Sequence, residues 1–474
     1  MAKQKITEYV EDFGLRKVPE KNRKGYFNMF MVLNAAFAAI AVVWGGGALG
    51  FGLDFINSLI AVMVGSTILA VIGSLTGFIS AKSGGSTYLN WRYSFGRIPS
   101  GILGIALIMV TTGIGWYAVE TWLGAIVISE IVPTGIFHNV VFNSLWFGVL
   151  MILVSFVGYR ALTFITYIAF PQHVWLLIVG FFIALSVSGG LSGGWSHLLA
   201  IKPIHPFSLY TGITAAVGLY IAGALIAGDL TRYSKNGKIA VISWTAHMYI
   251  FYPILILGGV ALVLVTGTYL VTQAMVDVGM GIAVLLIIVL GQIVINAVNL
   301  YSGSLSLINF IRIKRAWSAI INGIIGMGIA VWIAYTSGSS ITPFENFISA
   351  LGSLLPAAAG VVIADYFIEK PFLKGIKKYE DRYKFTEDGK YPEVNINGLV
   401  SFAIGGILGL GSTLGWFFIP GIASINALVI SFVLYIIIGY ISKIAKIRYE
   451  FGEYSHKKVI EKLESQTTSS GGSE

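Results

Sequence analysis

Long apolar stretches recur from one end of this sequence to the other, and they restrict the fold to one that crosses a membrane. A helix of about 20 apolar residues spans a bilayer. Twelve such stretches lie near residues 27–50, 56–80, 101–129, 140–158, 161–187, 210–228, 240–266, 280–303, 316–336, 345–368, 397–418 and 423–444. Only 11% of the residues are charged, against about 25% in soluble domains. We therefore predict an all-α integral membrane protein with 12 transmembrane helices.

The positive charge follows the topology of these spans. The net charge is +9, and all of the 31 Lys and Arg residues except Lys202 fall on one side if the N-terminus is cytoplasmic. Cytoplasmic loops are enriched in Lys and Arg. The pattern predicts a multi-pass protein of the cell (plasma) membrane with both termini in the cytoplasm. Because topology accounts for the positive charge, the charge does not indicate a nucleic-acid partner. The sequence contains no cysteine, which excludes disulfides and Cys-ligated metals.

The spacing of the loops divides the chain into ten spans followed by two. We expect a cytoplasmic N-terminal tail (1–26), a first five-helix repeat (27–187) and a second one (210–368). A charged cytoplasmic loop (369–396), two accessory helices (397–444) and a C-terminal tail (445–474) would follow. Inverted repeats with interrupted first helices occur in several transporter folds.

Glycines are concentrated in the first span of each predicted repeat. Span 1 contains Gly45–Gly47, and span 6 contains glycines at 212, 218, 223 and 228. Glycine permits unwound backbone whose carbonyl groups can bind a cation. It also lets helices pack closely, which is the more common use of small residues in membranes. The sequence leaves both interpretations open.

Glu120 is an isolated carboxylate within the third apolar stretch. A charged side chain at bilayer depth costs roughly 3 kcal/mol on insertion scales, so such residues usually face a cavity or a partner. Trp116 precedes it by four residues and shares its helix face. An acid beside an aromatic ring indicates a site for a small, flat, polar molecule.

Several short motifs follow one another along the chain: Gly46–Gly50 (GGALG), Ser94–Gly96 (SFG), Gly115–Tyr117 (GWY), Asp229–Tyr233 (DLTRY), Asn299–Ser302 (NLYS), Ile321–Gly326 (INGIIG), Ala364–Phe367 (ADYF) and Val394–Asn397 (VNIN). In their order and spacing they resemble the nucleobase–cation symporter family, most closely its cytosine permease branch. The resemblance extends over nearly the whole chain. It implies a five-plus-five inverted-repeat (LeuT-like) core with two accessory helices, and import of a nucleobase or related heterocycle driven by a cation gradient.

The resemblance also implies a set of substrate-binding residues. Trp116 is expected to stack on the substrate, and Glu120 stands where many relatives have glutamine. Tyr220, nine residues before Asp229, matches a second aromatic residue that closes on the base. Asn296 matches a substrate-binding asparagine in span 8. The remaining candidates are Asn299 and Gln292 in the same span and Phe37 in span 1. For each, packing or interhelical hydrogen bonding is the structural alternative.

The coupling ion is where the sequence departs from the family pattern. Sodium-coupled relatives use span 1 carbonyls and span 8 side-chain oxygens. Ala35 and Ala39 can supply the carbonyls, but Gly291, Val294 and Ile295 occupy the span 8 positions and carry no side-chain oxygen. A hard cation needs several oxygen ligands. A proton carried by Glu120 is therefore the alternative to sodium.

Other polar residues in or near the spans have ordinary explanations. His173 and His247 could handle protons, although a hydrogen-bonded structural role is more common for buried histidines. Asp229, Arg232 and Asp365 fall at cytoplasmic helix ends, where we expect interfacial anchoring, with a salt-bridged inner gate involving Asp229 and Arg232 as the alternative.

We expect a secondary transporter working by alternating access. The same fold could instead carry allantoin, a hydantoin or a vitamin such as thiamine. A channel or a membrane-embedded enzyme is a different class, and the sequence has no nucleophile motif or His-Glu-x-x-His for an enzyme. No cofactor beyond a coupling H⁺ or Na⁺ and no obligate protein partner is indicated.

Overall fold

The computed structural model is helical almost throughout. It describes residues 13–36, 40–132, 134–157, 164, 167, 182, 186, 190–268, 271–278, 282–311, 313–337 and 342–461. Apolar side chains from most of its helices form one large buried cluster in these parts of the chain.

The first half contains the helices of the first four predicted spans, together with a short helix between spans 2 and 3 and another after the predicted fifth span. They are α1 (Tyr26–Ala36), α2 (Ile40–Gly52), α3 (Phe55–Ser83), α4 (Thr87–Ser94), α5 (Arg97–Gly104), α6 (Tyr117–Ile131), α7 (Val140–Val157) and α8 (Gly190–Ala200). A π-helical stretch, Ile105–Trp116, joins α5 to α6 without a break. Short 3-10 turns lie at Glu20–Asn22 and Ile136–His138. The predicted fifth span, 161–187, falls almost wholly outside the described residues.

The second half supplies the remaining helices. They are α9 (Leu209–Gly218), α10 (Ile221–Thr231), α11 (Gly237–Ala246), α12 (Tyr252–Thr266), α13 (Val271–Asp277), α14 (Ile282–Phe310), α15 (Arg315–Ser337), α16 (Thr342–Leu354), α17 (Pro356–Ala364), α18 (Tyr379–Arg382), α19 (Ile396–Thr413) and α20 (Ala423–Ala445). π-Helical stretches link α11 to α12 (His247–Phe251) and extend α17 (Asp365–Leu373).

Nine helical runs within the described residues are long and apolar enough to cross a membrane. Two shorter apolar helices, Ala41–Gly52 and Val140–Phe156, match predicted spans 1 and 4. The prediction of a multi-pass α-helical membrane protein is confirmed. The exact number of 12 spans stays a prediction, because the structure describes only part of the chain.

Span 6 is interrupted in its middle, between α9 and α10. Tyr220 has φ −137° and ψ 0°, outside the helical region. Its N–H bonds to the carbonyl of Val217, so the Ala216 carbonyl lacks its usual helical partner and instead accepts the hydroxyl of Tyr252. Span 1 likewise contains two described helices, α1 ending at Ala36 and α2 beginning at Ile40. Span 6 is thus interrupted, which is one of the two interpretations of its glycines, and the division of the chain into two repeats stays a prediction.

The glycines of span 1 also serve helix packing. A Cβ atom on Gly46 would lie 2.0 Å from the carbonyl oxygen of Ile256 in α12. On the opposing helix, a Cβ atom on Gly259 would lie 2.0 Å from the carbonyl oxygen of Val43. The backbones of α2 and α12 therefore touch, and at this crossing the packing interpretation is confirmed.

The charged loop after span 10 and the C-terminal tail form one small assembly. Strand β1 (Lys390–Tyr391) pairs antiparallel with β4 (Tyr454–Ser455), and β2 (Val394–Asn395) pairs antiparallel with β3 (Glu450–Phe451). The Asn395 N–H also bonds to the carbonyl of Phe95, just before span 3. Gly96 has φ +93°, and a Cβ atom there would lie 2.6 Å from the Cα of Val394. The tail is thereby attached to the start of span 3.

Candidate substrate and coupling site

Trp116 and Glu120 lie at the point where the π-helical stretch of span 3 returns to α-helix. Trp116 is the last π-helical residue, and α6 begins at Tyr117. Trp116 is 7% exposed and Glu120 is 1% exposed. π-Helical insertions are rare and frequently occur at functional sites. The predicted arrangement of an acid one turn after a tryptophan is present, and both side chains point into the protein.

The Glu120 carboxylate is held by neutral hydrogen-bond donors from two other helices. Gln292 of α14 donates from Nε2 to the Glu120 side-chain Oε2 at 2.6 Å and to its backbone oxygen at 2.8 Å. The backbone N–H of Ala41, in the first turn of α2, also donates to the carboxylate. Glu120 thus connects span 3 to spans 1 and 8.

The Trp116 ring is packed against the first turns of span 10. Its centroid lies 5.3 Å from that of Phe347 and 6.2 Å from that of Phe344, and both pairs are T-shaped. Neither contact uses parallel stacking. Both phenylalanines belong to α16, so this helix contacts the aromatic part of the candidate site directly.

Tyr220 is brought to the same region by the interruption of span 6. Its ring contacts those of His247 (5.2 Å) and Tyr252 (5.1 Å), and its phenol interacts electrostatically with Glu120. Because Tyr220 lies at the break rather than inside a regular helix, a small change at the break would move its ring. The break therefore places Tyr220 in the neighbourhood of Glu120, and a substrate-binding role for either residue stays a prediction.

His247 has a hydrogen-bond partner in span 1. Its Nδ1 lies 3.0 Å from Oδ1 of Asn34, and Asn34 donates from Nδ2 to the carbonyl of Phe30. The expectation of a hydrogen-bonded structural role is confirmed for His247. His173 lies outside the described residues.

Asn296 and Asn299 are buried among other helices. Asn296 donates from Nδ2 to the Tyr117 carbonyl (3.2 Å) and to Thr121 Oγ1 (3.0 Å), and its Nδ2 lies 2.8 Å from Met151 Sδ. Its Oδ1 accepts from Asn299 at 3.1 Å. Both amides take part in interhelical packing, and their substrate-binding role stays a prediction.

The span 8 positions expected to hold sodium are apolar and buried. Gly291, Val294 and Ile295 are all buried and provide no side-chain oxygen. Ala35 lies in the last turn of α1, where carbonyl groups lack partners within the helix. Ala39 and Phe37 lie outside the described residues. Among the residues that the structure describes, no group of three or more His, Asp or Glu could hold a metal ion.

Asp229 and Arg232 are fully buried, so the prediction that they anchor helix ends at the membrane interface is wrong. Asp229 Oδ1 accepts the backbone N–H of Thr87 at 2.9 Å. Arg232 donates to the carbonyls of Asp229 and Phe13 and to the hydroxyl of Tyr301, the last at 2.8 Å. We call this set of residues the cytoplasmic network, after the side of the membrane on which the sequence predicts it. It joins span 6 to α4, to span 8 and to the N-terminal segment.

Asp365 is also fully buried, which corrects its predicted place at the membrane surface. Its carboxylate accepts from the hydroxyls of Tyr383 (2.5 Å), Ser94 (3.2 Å) and Tyr435 (3.1 Å). Lys370 Nζ lies 3.4 Å from it. The physical reason is that the loop after span 10 folds back over this helix end and excludes water from it.

Some residues of the site gave little signal in the sequence. Gln292 was recognisable only as an amide one turn before Asn296, and its contact with Glu120 joins positions 172 residues apart. Phe344, Phe347 and Tyr252 are aromatic residues in apolar helices, and nothing in their local sequence distinguishes them from lipid-facing or core residues.

Comparison with known proteins identifies relatives of the chain. The family model for permeases of cytosine/purines, uracil, thiamine and allantoin matches residues 17–434. The cytosine permease of Escherichia coli (strain K12) is 28% identical over 432 residues, covering 90% of this chain and 94% of that protein. The hydantoin permease of Microbacterium maritypicum is 23% identical over 378 residues, covering 73% of each chain.

A solved structure shares the fold. The nucleobase-cation-symport-1 family transporter Mhp1, in a closed conformation with bromovinylhydantoin bound, superposes with a TM-score of 0.72 at 19% identity. The match covers 90% of this chain and 95% of that one. With the family model matching most of the sequence, the chain belongs to the nucleobase–cation symporter family of permeases for cytosine/purines, uracil, thiamine and allantoin.

Proposed function

We propose that the chain imports a nucleobase-like heterocycle into the cell by proton-coupled alternating access. It acts as a carrier and catalyses no reaction. The architecture that goes with this function is a five-plus-five inverted-repeat core with two accessory helices, 12 spans in all. It lies in the plasma membrane with both termini cytoplasmic.

One observation carries the proposal: a buried carboxylate shares its site with two aromatic residues from different spans. Glu120 lies one turn from Trp116 and interacts with Tyr220 at the break of span 6. A flat heterocycle offers a π-face to aromatic rings and N–H donors to a carboxylate. The shape and chemistry of these residues suit a nucleobase edge better than a sugar or a metal ion.

The same carboxylate supports a proton as the coupling ion. Sodium would need several oxygen ligands, and the span 8 positions Gly291, Val294 and Ile295 supply only hydrocarbon. The donors that reach Glu120, from Gln292 and Ala41, are neutral. Proton uptake by Glu120 therefore removes an otherwise unneutralised charge from the membrane interior, which favours the occluded, loaded carrier.

A transport cycle follows from these positions. Glu120 takes a proton from the outside, and the base binds against Trp116. The loaded site closes through Tyr220 and the aromatic residues of α16. The cytoplasmic network around Asp229 and Arg232 then opens, the base leaves, and Glu120 releases its proton to the cytoplasm.

Uptake into proteoliposomes with an imposed pH gradient tests the proposal. Wild-type protein should accumulate labelled base when the outside is acidic, with or without sodium. Glu120→Gln should bind the base and exchange it across the membrane but lose pH-driven accumulation. Glu130→Gln, which changes another acid of α6, is the matched control and should accumulate normally. A strict sodium requirement in the wild type would falsify proton coupling.

The cargo has a second candidate class. The relatives include a hydantoin permease, and the Mhp1 structure contains a bound hydantoin. Hydantoins and allantoin share the planar ring with alternating N–H and C=O groups that the Trp116–Glu120 pair suits. Competition of cytosine, adenine, uracil, allantoin, a hydantoin and thiamine against labelled base identifies the class, because only the true cargo competes at low concentration.

A further inference from the structure

We propose that Gln292 is a positioning residue that fixes the Glu120 carboxylate in its site and sets the pH at which transport is driven. This inference rests on the proposed coupling role of Glu120. It adds to that role a residue on another helix that acts through the carboxylate.

Gln292 contacts Glu120 at two atoms, one in the side chain and one in the backbone. Two hydrogen bonds that Gln292 donates end on one residue, at Glu120 Oε2 (2.6 Å) and at the Glu120 backbone oxygen (2.8 Å). Gln292 is fully buried, and so is the carboxylate. The Gln292 amide bonds to the carboxylate of Glu120 and to the backbone oxygen of the same residue. The Glu120 carboxylate is therefore held against α14.

Asn296 repeats the contact one turn further along α14. It donates to the Tyr117 carbonyl and to Thr121, which flank Glu120 on α6. The two amides therefore hold α6 at successive turns. Only the Gln292 contact reaches an ionisable atom, and this difference separates its role from that of an ordinary packing amide.

The other groups around Glu120 do not substitute for Gln292. Ala41 donates through its backbone and cannot be changed by mutation of a side chain. Tyr220 faces the carboxylate from span 6, with Tyr252 of span 7 and His247 behind it. Tyr117 on α6 itself donates to the carbonyl of Gly148. No cationic side chain is among these described neighbours, so the Gln292 amide is the principal side-chain donor to the carboxylate anion.

Removing this donor should favour the protonated form of Glu120, because a hydrogen bond to the charged form stabilises that form. We expect Gln292→Met, which keeps the length of the side chain, to move the half-maximal pH of uptake upward by about one unit, tenfold in proton concentration. Gln292→Glu should move it further, because two adjacent carboxylates cannot both ionise.

The test measures pH profiles of uptake for wild type, Gln292→Met, Gln292→Glu and the double variant Gln292→Met with Glu120→Gln. The control is Asn143→Leu, which removes another interhelical amide that bonds to span 3 through the carbonyl of Ala125. This control should lower stability without moving the profile. The double variant should exchange base with no pH dependence, as Glu120→Gln alone does.

The outcomes separate the two proposals. If Glu120→Gln abolishes pH-driven accumulation while Gln292→Met leaves the pH profile unchanged, the positioning role is wrong and the proposed function stands. If Glu120→Gln accumulates base normally, the proposed coupling fails first. A loss of folding in Gln292→Met is recognised by loss of base binding in a thermal-shift assay, and Gln292→Glu then provides the profile.

Discussion

Asp229 caps a helix that belongs to a different part of the fold: its Oδ1 accepts the backbone N–H of Thr87, the first residue of α4, at 2.9 Å. The first N–H groups of a helix lack partners within it, and a negative charge there is favourable. Because α4 joins spans 2 and 3 while Asp229 ends span 6, this contact connects the segment between spans 2 and 3 to the end of span 6.

Breaking this cap should favour opening towards the cytoplasm. Asp229→Ala leaves the Thr87 N–H without its acceptor, and loss of such a cap costs about 0.5–2 kcal/mol. We expect the inward-open population to rise several-fold. The chain has no cysteine, so Ser306→Cys, at a fully buried position of α14, provides a unique label. Its rate of modification by a thiol reagent should increase in the Asp229→Ala background.

Asp54→Ala is the matched control for this prediction. Asp54 caps α3 by the same kind of bond, accepting the N–H of Asn57 at 2.8 Å, at the predicted outer side of the membrane. It should leave the labelling rate of Ser306→Cys unchanged. An equal increase in both variants would show general loosening rather than opening of the cytoplasmic network.

Trp116 should contribute much of the binding energy for the base. Stacking on an aromatic ring is worth roughly 1–3 kcal/mol per base, so Trp116→Ala should weaken binding by roughly 5- to 150-fold. Trp116→Phe should retain part of the affinity, because the ring is smaller but still planar. Equilibrium binding of labelled base to purified protein measures the effect.

Trp146→Phe controls for the loss of an indole elsewhere. Trp146 donates from Nε1 to Asn143 on its own helix, α7, and contacts Phe147. Its replacement should change stability slightly and base affinity not at all. Equal affinity in wild type and Trp116→Ala would show that stacking on Trp116 does not contribute to base binding.

The sequence predicted the spans and the pairing of Trp116 with Glu120 because both depend on local order. Apolar length determines a span, and four residues place two side chains on one helix face. The position of the break at Tyr220 was harder to predict from the sequence, since neither Leu219 nor Tyr220 is a helix breaker. It arises from tertiary contacts, including the Tyr252 hydroxyl that takes up the freed carbonyl of Ala216.

Contacts between positions far apart in the sequence could not be predicted from local order. Gln292 and Glu120 are 172 residues apart, and the pairing depends on how α6 and α14 cross. Asp365 was assigned to the membrane surface because a charge at a helix end is usually solvated. It is buried instead, because Tyr383 from the loop and Tyr435 from span 12 close over it.

Close packing between the outer parts of spans 6 and 10 should be essential for closing the site from the outside. A Cβ atom on Gly352 would lie 2.3 Å from the Thr214 carbonyl oxygen and 2.9 Å from the backbone nitrogen of Gly218. Gly352→Ala should therefore push α16 away from α9, at a cost of about 1–3 kcal/mol for overpacking. We expect transport to fall while base binding from the outside persists.

Gly328→Ala is the control for this substitution. A Cβ atom on Gly328, within α15, meets nothing within 4 Å. Alanine there should stabilise the helix by about 0.5–1 kcal/mol and leave transport intact. Transport and binding measured side by side on the two variants distinguish a steric block from a general effect of removing glycine. Normal transport by Gly352→Ala would contradict the role of this contact.

We expect His456 to make attachment of the C-terminal tail depend on pH. The side chain is fully buried where the tail meets the loop after span 10. Its Nδ1 lies 3.4 Å from the Tyr391 hydroxyl, and the Phe385 ring is 5.5 Å away. Burial, with a smaller contribution from the positive charge of Arg92, lowers the pKa of His456 to about 4. The attached tail therefore contains a neutral imidazole at neutral pH.

Detachment of the tail should follow from the sign of this shift. A detached tail has the ordinary histidine pKa of about 6.5, so below that pH it binds a proton that the attached tail does not. Attachment is fully favourable above pH 6.5, weakens as the pH falls towards 4, and changes little below that because both states are then protonated.

Proteolysis of the tail, with the rest of the protein in detergent micelles, should therefore accelerate between pH 6.5 and pH 4. His456→Phe, which cannot titrate, should remove this acceleration, whereas His138→Gln on the opposite side of the protein should preserve it. An identical pH profile for wild type and His456→Phe would assign the effect to the acidic side chains that pair with Lys374 and Lys390.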